Sequence, residues 1–202
     1  RALLERYGLR AKKSWGQNFL GDEGIRAAIA RLAAPRAGDV VVELGAGLGH
    51  LTAQLVARGA RVVAVERDRD MAAVLRGELG GAIALVEADA ARGVYAELAA
   101  RYAGEAAAPT AAPGPSTATP ARSGSRIAVV GNLPYHLTSP ILFSLLDQVG
   151  RVSRAVFLVQ REVAERLAAA PGTHDWGILS VLLQREADVS IDQYTGPMTA
   201  FP

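Results

Sequence analysis

The chain has 202 residues, 50% of them apolar and 21% charged, which supports one sizeable buried core and excludes wholesale disorder. Net charge is only +2, from 22 basic and 20 acidic residues, so charge alone names no partner, although 20 of the basic residues are arginine, a planar bidentate ligand for phosphate. Without cysteine there is no disulfide framework, cysteine-zinc site or thiol nucleophile, and without an apolar run of about 18 residues no membrane-spanning helix is expected.

The chain starts at Arg1 without a leader and stops at Phe201-Pro202, so it reads as a fragment of a longer, cytoplasmic protein. Its first 13 residues carry Arg1, Arg6, Arg10, Lys12 and Lys13 against Glu5 alone. That basic start suits RNA phosphates or plain solvation equally. Residues 14–20 show no clear period. A helix is expected over 22–34, with Asp22 as N-cap and Ile25, Ile29 and Leu32 on one face; Pro35 and Gly38 end it. Residues 40–44, Val-Val-Val-Glu-Leu, form a continuous apolar strand of the kind covered on both faces. Then come a helix over 50–58, a strand over 61–66, a helix over 68–79, a strand over 82–87 and a helix over 92–102. The fourth strand is 127–131, followed by a helix over 140–149 with core residues Leu142, Leu145, Leu146 and Val149, and a fifth strand over 155–160. Helices over 161–169 and 176–186 follow, and 189–194 is a sixth strand. Such alternation implies a mostly parallel, doubly wound α/β sheet in a single domain, 1–202. Residues 104–126, rich in Ala, Pro, Ser, Thr and Gly, interrupt it as a disordered surface insertion.

Glu43 to Gly49 reads E-L-G-A-G-L-G, between a strand and a helix. Glycines there let backbone approach a ligand, and the helix N-terminus offers N–H groups to an anion. The spacing is not the dinucleotide fingerprint G-x-G-x-x-G, which disfavours a nicotinamide-dependent oxidoreductase and suits a carboxylate such as an amino-acid end held near Gly45 and Gly47. Glu66 closes the second strand, where an acid accepts both ribose hydroxyls, and Asp89 follows the third. Gly45, Glu66 and Asp89 line one carboxyl edge and suggest a nucleoside with an amino-acid tail and no phosphate. S-adenosylmethionine has that shape.

Asn132-Leu133-Pro134-Tyr135 ends the fourth strand on the same edge. An exocyclic amine on a base is a poor nucleophile because its lone pair is delocalised into the ring. Two acceptors for its N–H groups, the Asn132 side-chain oxygen and a carbonyl left without a donor by Pro134, most naturally that of Leu133, favour tetrahedral nitrogen. The Tyr135 ring offers a stacking platform. The bland reading is a turn into a helix capped at Thr138 or Ser139, with Pro140 at its first position.

These pieces, with Lys13 to Leu20 (K-S-W-G-Q-N-F-L), Val65-Glu66, Val156 to Arg166 and Gly177 to Val181, stand in the order of one family. The chain resembles the N-terminal catalytic domain of the ribosomal RNA adenine N6,N6-dimethyltransferase family (KsgA type), nearly end to end apart from 104–126. The resemblance implies a Rossmann-like class I methyltransferase fold and S-adenosylmethionine as cofactor. It implies that Asn18 and Leu20 hold the methionine end with Gly45, that Glu66 takes the ribose and Asp89 the adenine amine, and that Asn132 serves both cofactor and target. Phe201 resembles the family's second aromatic, which sandwiches the base against the tyrosine. The activity implied is transfer of two methyl groups to each of two adjacent adenosines near the 3′ end of small-subunit rRNA. The partner would be the immature 30S subunit, met by a monomer without metal or membrane. Trp176 stands where the family has tyrosine, residues 193–200 match the family's pattern imperfectly, and the family's helical C-terminal domain lies outside the chain.

The three histidines, His50, His136 and His174, lack metal-ligand spacing. Arg161 suits a phosphate contact or pairing with Glu165. Two other readings stay open: a large-subunit rRNA adenine methyltransferase of the macrolide-resistance kind, which shares Gln-Asn-Phe-Leu and a similar N-x-P-Y, and a non-catalytic RNA-binding relative.

Overall fold

The computed structural model describes residues 2–9, 22–33, 35, 39–93, 95–102 and 127–192. Its strands are β1 (Val40–Leu44), β2 (Arg61–Glu66), β3 (Ile83–Glu87), β4 (Ile127–Asn132) and β5 (Val152–Leu158). All neighbours pair in parallel, in the order β3-β2-β1-β4-β5. The helices are α1 (Ala2–Arg6), α2 (Glu23–Ala33), α3 (His50–Ala57), α4 (Arg69–Leu79), α5 (Tyr95–Tyr102), α6 (Thr138–Leu146), α7 (Arg161–Leu167) and α8 (Ile178–Glu186). This is the doubly wound parallel architecture expected from the alternation of elements. None of the described helices is long and apolar enough to cross a membrane.

The central strands β1, β2 and β4 form where they do because both of their faces are covered, whereas the edge strand β5 is only partly buried. All five residues of β1 are buried. Val41, Val62, Ala64, Ala128 and Val130 point into one cluster with Ile25 and Ile29 of α2, Leu51 and Leu55 of α3 and Leu75 of α4. The alternate residues Val42, Val63 and Val129 are fully buried on the other face, where α5 lies against β1, β2 and β4. Burying both faces stabilises each of these valines by roughly 1.5–3 kcal/mol against exposure, which explains the absence of polar alternation along the strands.

Register fixes the level of the edge. Leu44 pairs with Val65 on one side and with Gly131 on the other, so Gly45 stands level with Glu66 and Asn132. Strand order reverses between β1 and β4, and at such a switch point the loops diverge and leave a crevice.

The described chain divides into two compact units, Arg1–Leu158 and Val159–Pro202. In the second, α7 and α8 are joined by polar caps: Ser180 Oγ donates to the Arg166 carbonyl (2.6 Å), and Gln184 Nε2 to those of Leu167 (2.8 Å) and Ala169 (2.9 Å). Arg161 donates to Glu165 (2.8 Å).

The expected elements shift in several places. The sixth strand does not form over 189–192, which has no regular structure; residues 193 and 194 lie outside the described residues. β5 runs from Val152 to Leu158 rather than over 155–160. The helix expected over 92–102 begins only at Tyr95, because Asp89 caps a short 3₁₀ turn over Ala90–Arg92. α6 starts at Thr138, which puts Pro140 inside its first turn, where a missing N–H removes no intrahelical bond. Of its expected core residues, Leu142 and Leu145 are buried, whereas Leu146 and Val149 are only partly so. α1 was not expected at all. The insertion 104–126 lies outside the described residues.

Candidate functional site

The turn after β1 is built from three glycines with positive φ: Gly45 (68°), Gly47 (57°) and Gly49 (78°). They serve different ends. A Cβ added at Gly45 would meet nothing within 4 Å, so Gly45 faces open space. One added at Gly49 would come within 2.8 Å of a Leu75 methyl and 2.9 Å of a Leu79 methyl, so Gly49 lets α4 close against the turn. The turn's own amides are engaged. Gly45 N–H (2.8 Å) and Ala46 N–H (3.3 Å) donate to the Val65 carbonyl, and Gly49 N–H donates to the Ala46 carbonyl (3.0 Å). The donors left to an anion are therefore those of the first turn of α3, which Gly49 caps without a side chain, rather than those of Gly45 and Gly47 themselves.

Glu66 ends β2 and is only 8% exposed. Gly47 N–H donates to one carboxylate oxygen (2.8 Å) and Asp68 N–H to the other (2.7 Å). One side chain thus ties the glycine turn to the start of α4, where Asp68 in turn accepts from Asp70 N–H (3.0 Å). Burial pushes the Glu66 pKa up, and the hydrogen bonds from Asp68 and Gly47 pull it down. Asp89 ends the next connection, accepting from Ala91 N–H (3.0 Å) and from Arg67 Nη1 (3.3 Å). A carboxylate oxygen can accept more than one hydrogen bond, so these bonds do not by themselves exhaust either side chain.

Across the switch point, Asn132 is the last residue of β4 and is half-buried. Leu133 is buried, and its N–H is held by the Leu158 carbonyl of β5 (3.1 Å). Pro134 follows with its own carbonyl taken by Leu137 N–H (2.9 Å) and the Thr138 hydroxyl (3.3 Å). The Pro134 carbonyl is thus engaged within the chain; the backbone acceptor expected from sequence is that of Leu133. Tyr135 opens the 3₁₀ turn Tyr135–Leu137, three residues after Asn132, and is 54% exposed; His136 is also exposed.

The structure therefore brings Gly45, Gly47, Glu66, Asp89, Asn132, Leu133, Pro134 and Tyr135 to one edge. In space the strands deliver Asp89, Glu66, Gly45 and Asn132 in that order, over three strand spacings or about 14 Å. Asn18, Leu20 and Phe201 lie outside the described residues.

Sequence reasoning missed Glu43. It sits in the middle of the sheet, 2% exposed, and its Oε2 has no hydrogen-bond partner among the described residues. Burial raises its pKa to about 8; the Thr52 hydroxyl, close but short of a normal hydrogen-bond geometry, opposes this, and Glu66 adds to it. Glu43 is thus a neutral acid at pH 7, beneath the glycine turn. Its signal was a single charge inside an otherwise apolar strand. His50, first in α3, is held below the usual histidine range by burial and by Arg26.

Comparison with known proteins gives a consistent result. The model of the family described as ribosomal RNA adenine dimethylase matches residues 8–191. A protein of Anaeromyxobacter sp. (strain K), named ribosomal RNA small subunit methyltransferase A, is 70% identical over all 202 residues, and this chain spans 66% of its length. The protein of that name in Myxococcus xanthus is 52% identical over 188 residues, covering 93% of this chain and 58% of that one. The chain therefore spans less than two thirds of these relatives. Among solved structures, the 23S rRNA methyltransferase ErmE is 30% identical with a TM-score of 0.54, covering 77% of this chain and 53% of that one. A dimethyladenosine transferase from Plasmodium falciparum shares the fold, with a TM-score of 0.60 at 23% identity over 81% of this chain and 50% of that one. The sheet and helices are those of the Rossmann-like class I methyltransferases. Since the family model accounts for nearly all of the chain, this protein belongs to the ribosomal RNA adenine dimethylase family.

Proposed function

We propose that the chain transfers methyl groups from S-adenosylmethionine to N6 of two adjacent adenosines near the 3′ end of small-subunit rRNA, giving N6,N6-dimethyladenosine. The observation that carries this reading is the register of the edge. Glu66 and Asn132 flank Gly45 at the switch point, with Asp89 one strand farther out.

The residues present fit the cofactor. Gly45 leaves open the space that any side chain would fill, and Glu66, held by the backbone N–H groups of Gly47 and Asp68 among others, sits at the strand end where a carboxylate can accept from a ribose diol. Asp89 would take the adenine amine, and the first turn of α3 the carboxylate end, together with Asn18 and Leu20. When bound, S-adenosylmethionine supplies a methyl group already activated on a sulfonium.

Everything else is done by the chain. Asn132 Oδ1 and the Leu133 carbonyl accept the two N–H bonds of the target amine and turn its lone pair out of the ring plane. Pro134 keeps a competing donor away from that carbonyl. Tyr135 stacks on the extruded base, with Phe201 as the second face. The unbonded face of the amine is thereby presented to the cofactor half of the edge, and its proton leaves to solvent.

The names of the relatives support a small-subunit substrate; a cytoplasmic reaction on immature 30S subunits is part of the same proposal. The likeness to ErmE keeps large-subunit rRNA as the second reading. Incubation with labelled S-adenosylmethionine and immature subunits of both kinds, followed by mapping of the modified position, decides between them. The expected product is dimethyladenosine at two adjacent positions near the small-subunit 3′ end. Label in large-subunit rRNA overturns that choice, and no heat on titrating the cofactor favours a binding-only relative.

A further inference from the structure

The N-terminal helix is not used by the reading above. α1 has five residues, far too few to persist alone, so its order comes from what it docks against. Leu-Leu-Glu-Arg-Tyr-Gly-Leu closes it with a Schellman motif. Gly8, at φ 64°, donates to the Glu5 carbonyl (3.1 Å), and Leu9 N–H donates to the Leu4 carbonyl (2.8 Å). This brings Leu3, Leu4, Tyr7 and Leu9 together against Leu48, Met71 and Val74. Met71 and Val74 belong to α4, but Leu48 is a residue of the glycine turn itself.

Tyr7 is locked in place by α4. Its hydroxyl donates to one oxygen of Glu78 (2.9 Å), and Arg6 Nη2 donates to the other (3.0 Å). The Arg6 guanidinium lies 5.8 Å from the centre of the Tyr7 ring. A Cβ on Gly77 would collide with the Tyr7 hydroxyl, so the missing side chain of Gly77 is the seat for Tyr7. Arg6, a candidate phosphate contact from sequence, is instead committed to Glu78. Exposed ion pairs contribute little by themselves, so the consequence lies in what they orient: an apolar ring and three leucines against the cluster that contains Leu48.

We propose that α1 is a brace for the glycine turn and that Tyr7 is a positioning residue for the ligand the turn receives; that the ligand is S-adenosylmethionine rests on the function proposed above. A turn with three positive-φ glycines has little conformational preference of its own and must be held from outside. Glu66 holds it from the sheet side through Gly47, α4 through Gly49, and α1 through Leu48. The brace limits the turn to the conformation that binds, which lowers the ordering cost of binding.

The test compares the 202-residue chain with Tyr7→Ala, Tyr7→Phe and Gly77→Ala, the last attacking the same contact from the α4 side. Amide exchange is read at Gly47 and Gly49, with Val42 and Val129 in the central strands as controls. Affinity is read for S-adenosylmethionine and for adenosine, which lacks the amino-acid end. Tyr7→Ala and Gly77→Ala should exchange about tenfold faster at Gly47 and Gly49 and keep wild-type protection at Val42 and Val129. Their affinity for S-adenosylmethionine should fall about three- to tenfold and that for adenosine less than about twofold. Tyr7→Phe should keep most of the protection, because its ring still packs against the cluster of Leu48, Met71 and Val74. Unchanged exchange at Gly47 and Gly49 in both variants overturns the brace, as does loss of protection throughout the sheet, which would make α1 a general stabiliser. If wild type binds no S-adenosylmethionine, the functional reading fails, and the exchange result alone decides the brace.

Discussion

On the β2 side of Gly45 the polar groups already hold one another. Glu66 is bonded to the glycine turn and to the start of α4, and Asp89 to Ala91 and Arg67. On the β4 side, Asn132 is half-buried at the strand end and Tyr135 holds its ring out to solvent. The first half is held in one arrangement by the chain's own hydrogen bonds. The second half places a side-chain amide at the end of β4 and, three residues on, an exposed aromatic ring. That division fits a cofactor of fixed shape on one side and an extruded base of a large RNA on the other.

Breaking the β4 half should have the largest effect. Asn132→Ala is expected to lower methyl transfer by about 10²- to 10³-fold, as loss of one preorganised hydrogen-bonding group at a reacting atom does, with the thermal unfolding midpoint kept. Radiolabel transfer to immature subunits measures it, and turnover within a few-fold of wild type would remove Asn132 from the chemistry.

The ground beneath the cofactor half is next. Glu43 keeps its proton to about pH 8 in the folded chain but releases it near pH 4.5 when unfolded. The folded state therefore binds more protons between those values, and stability falls as pH rises from about 4.5 to about 8. Glu43→Gln should flatten that slope and be more stable than wild type at pH 8 and above, by several kcal/mol. Denaturant unfolding at a series of pH values checks it; parallel curves for the two proteins would refute it.

Glu66→Ala should weaken cofactor binding by about 1.5–3 kcal/mol, and Glu66→Gln by less, since one acceptor oxygen survives. Calorimetric titration resolves both, and an unchanged dissociation constant would leave Glu66 a purely structural tie between the turn and α4. The smallest effect separates the halves most cleanly. Tyr135→Ala should cost about 1–3 kcal/mol in affinity for the RNA substrate through lost stacking, and leave both cofactor affinity and stability within about 0.5 kcal/mol of wild type. A matching loss in cofactor affinity would show that the two halves are not separate.

Much of this was legible before folding was considered. β1 and β2 end where their apolar runs meet turn residues, and Glu66, Asp89 and Asn132 were placed on the edge by their position after strands. α1 escaped because five residues carry no readable period, and its order depends on a groove over Gly77. The alternation in 189–192 reads as a strand, but a strand exists only with a partner to pair with, and sequence period does not supply one. Glu43 was hidden for a similar reason. Its position in the strand was plain, but its depth depends on α2 and α3 closing over that face.

The sequence by itself determined the local alphabet: which runs are buried strands, where the glycines bend the chain, and which acids and amides follow each strand. These depend on apolar period and backbone freedom within a few residues of one another. Only the tertiary structure decided which of those groups face each other, that the turn's amides are already spent on Val65 and Glu66, that Glu43 is neutral, and that a helix some 40 residues away in sequence steadies Leu48. Pairing, desolvation and steric fit are set by neighbours distant along the chain, and no local pattern encodes them.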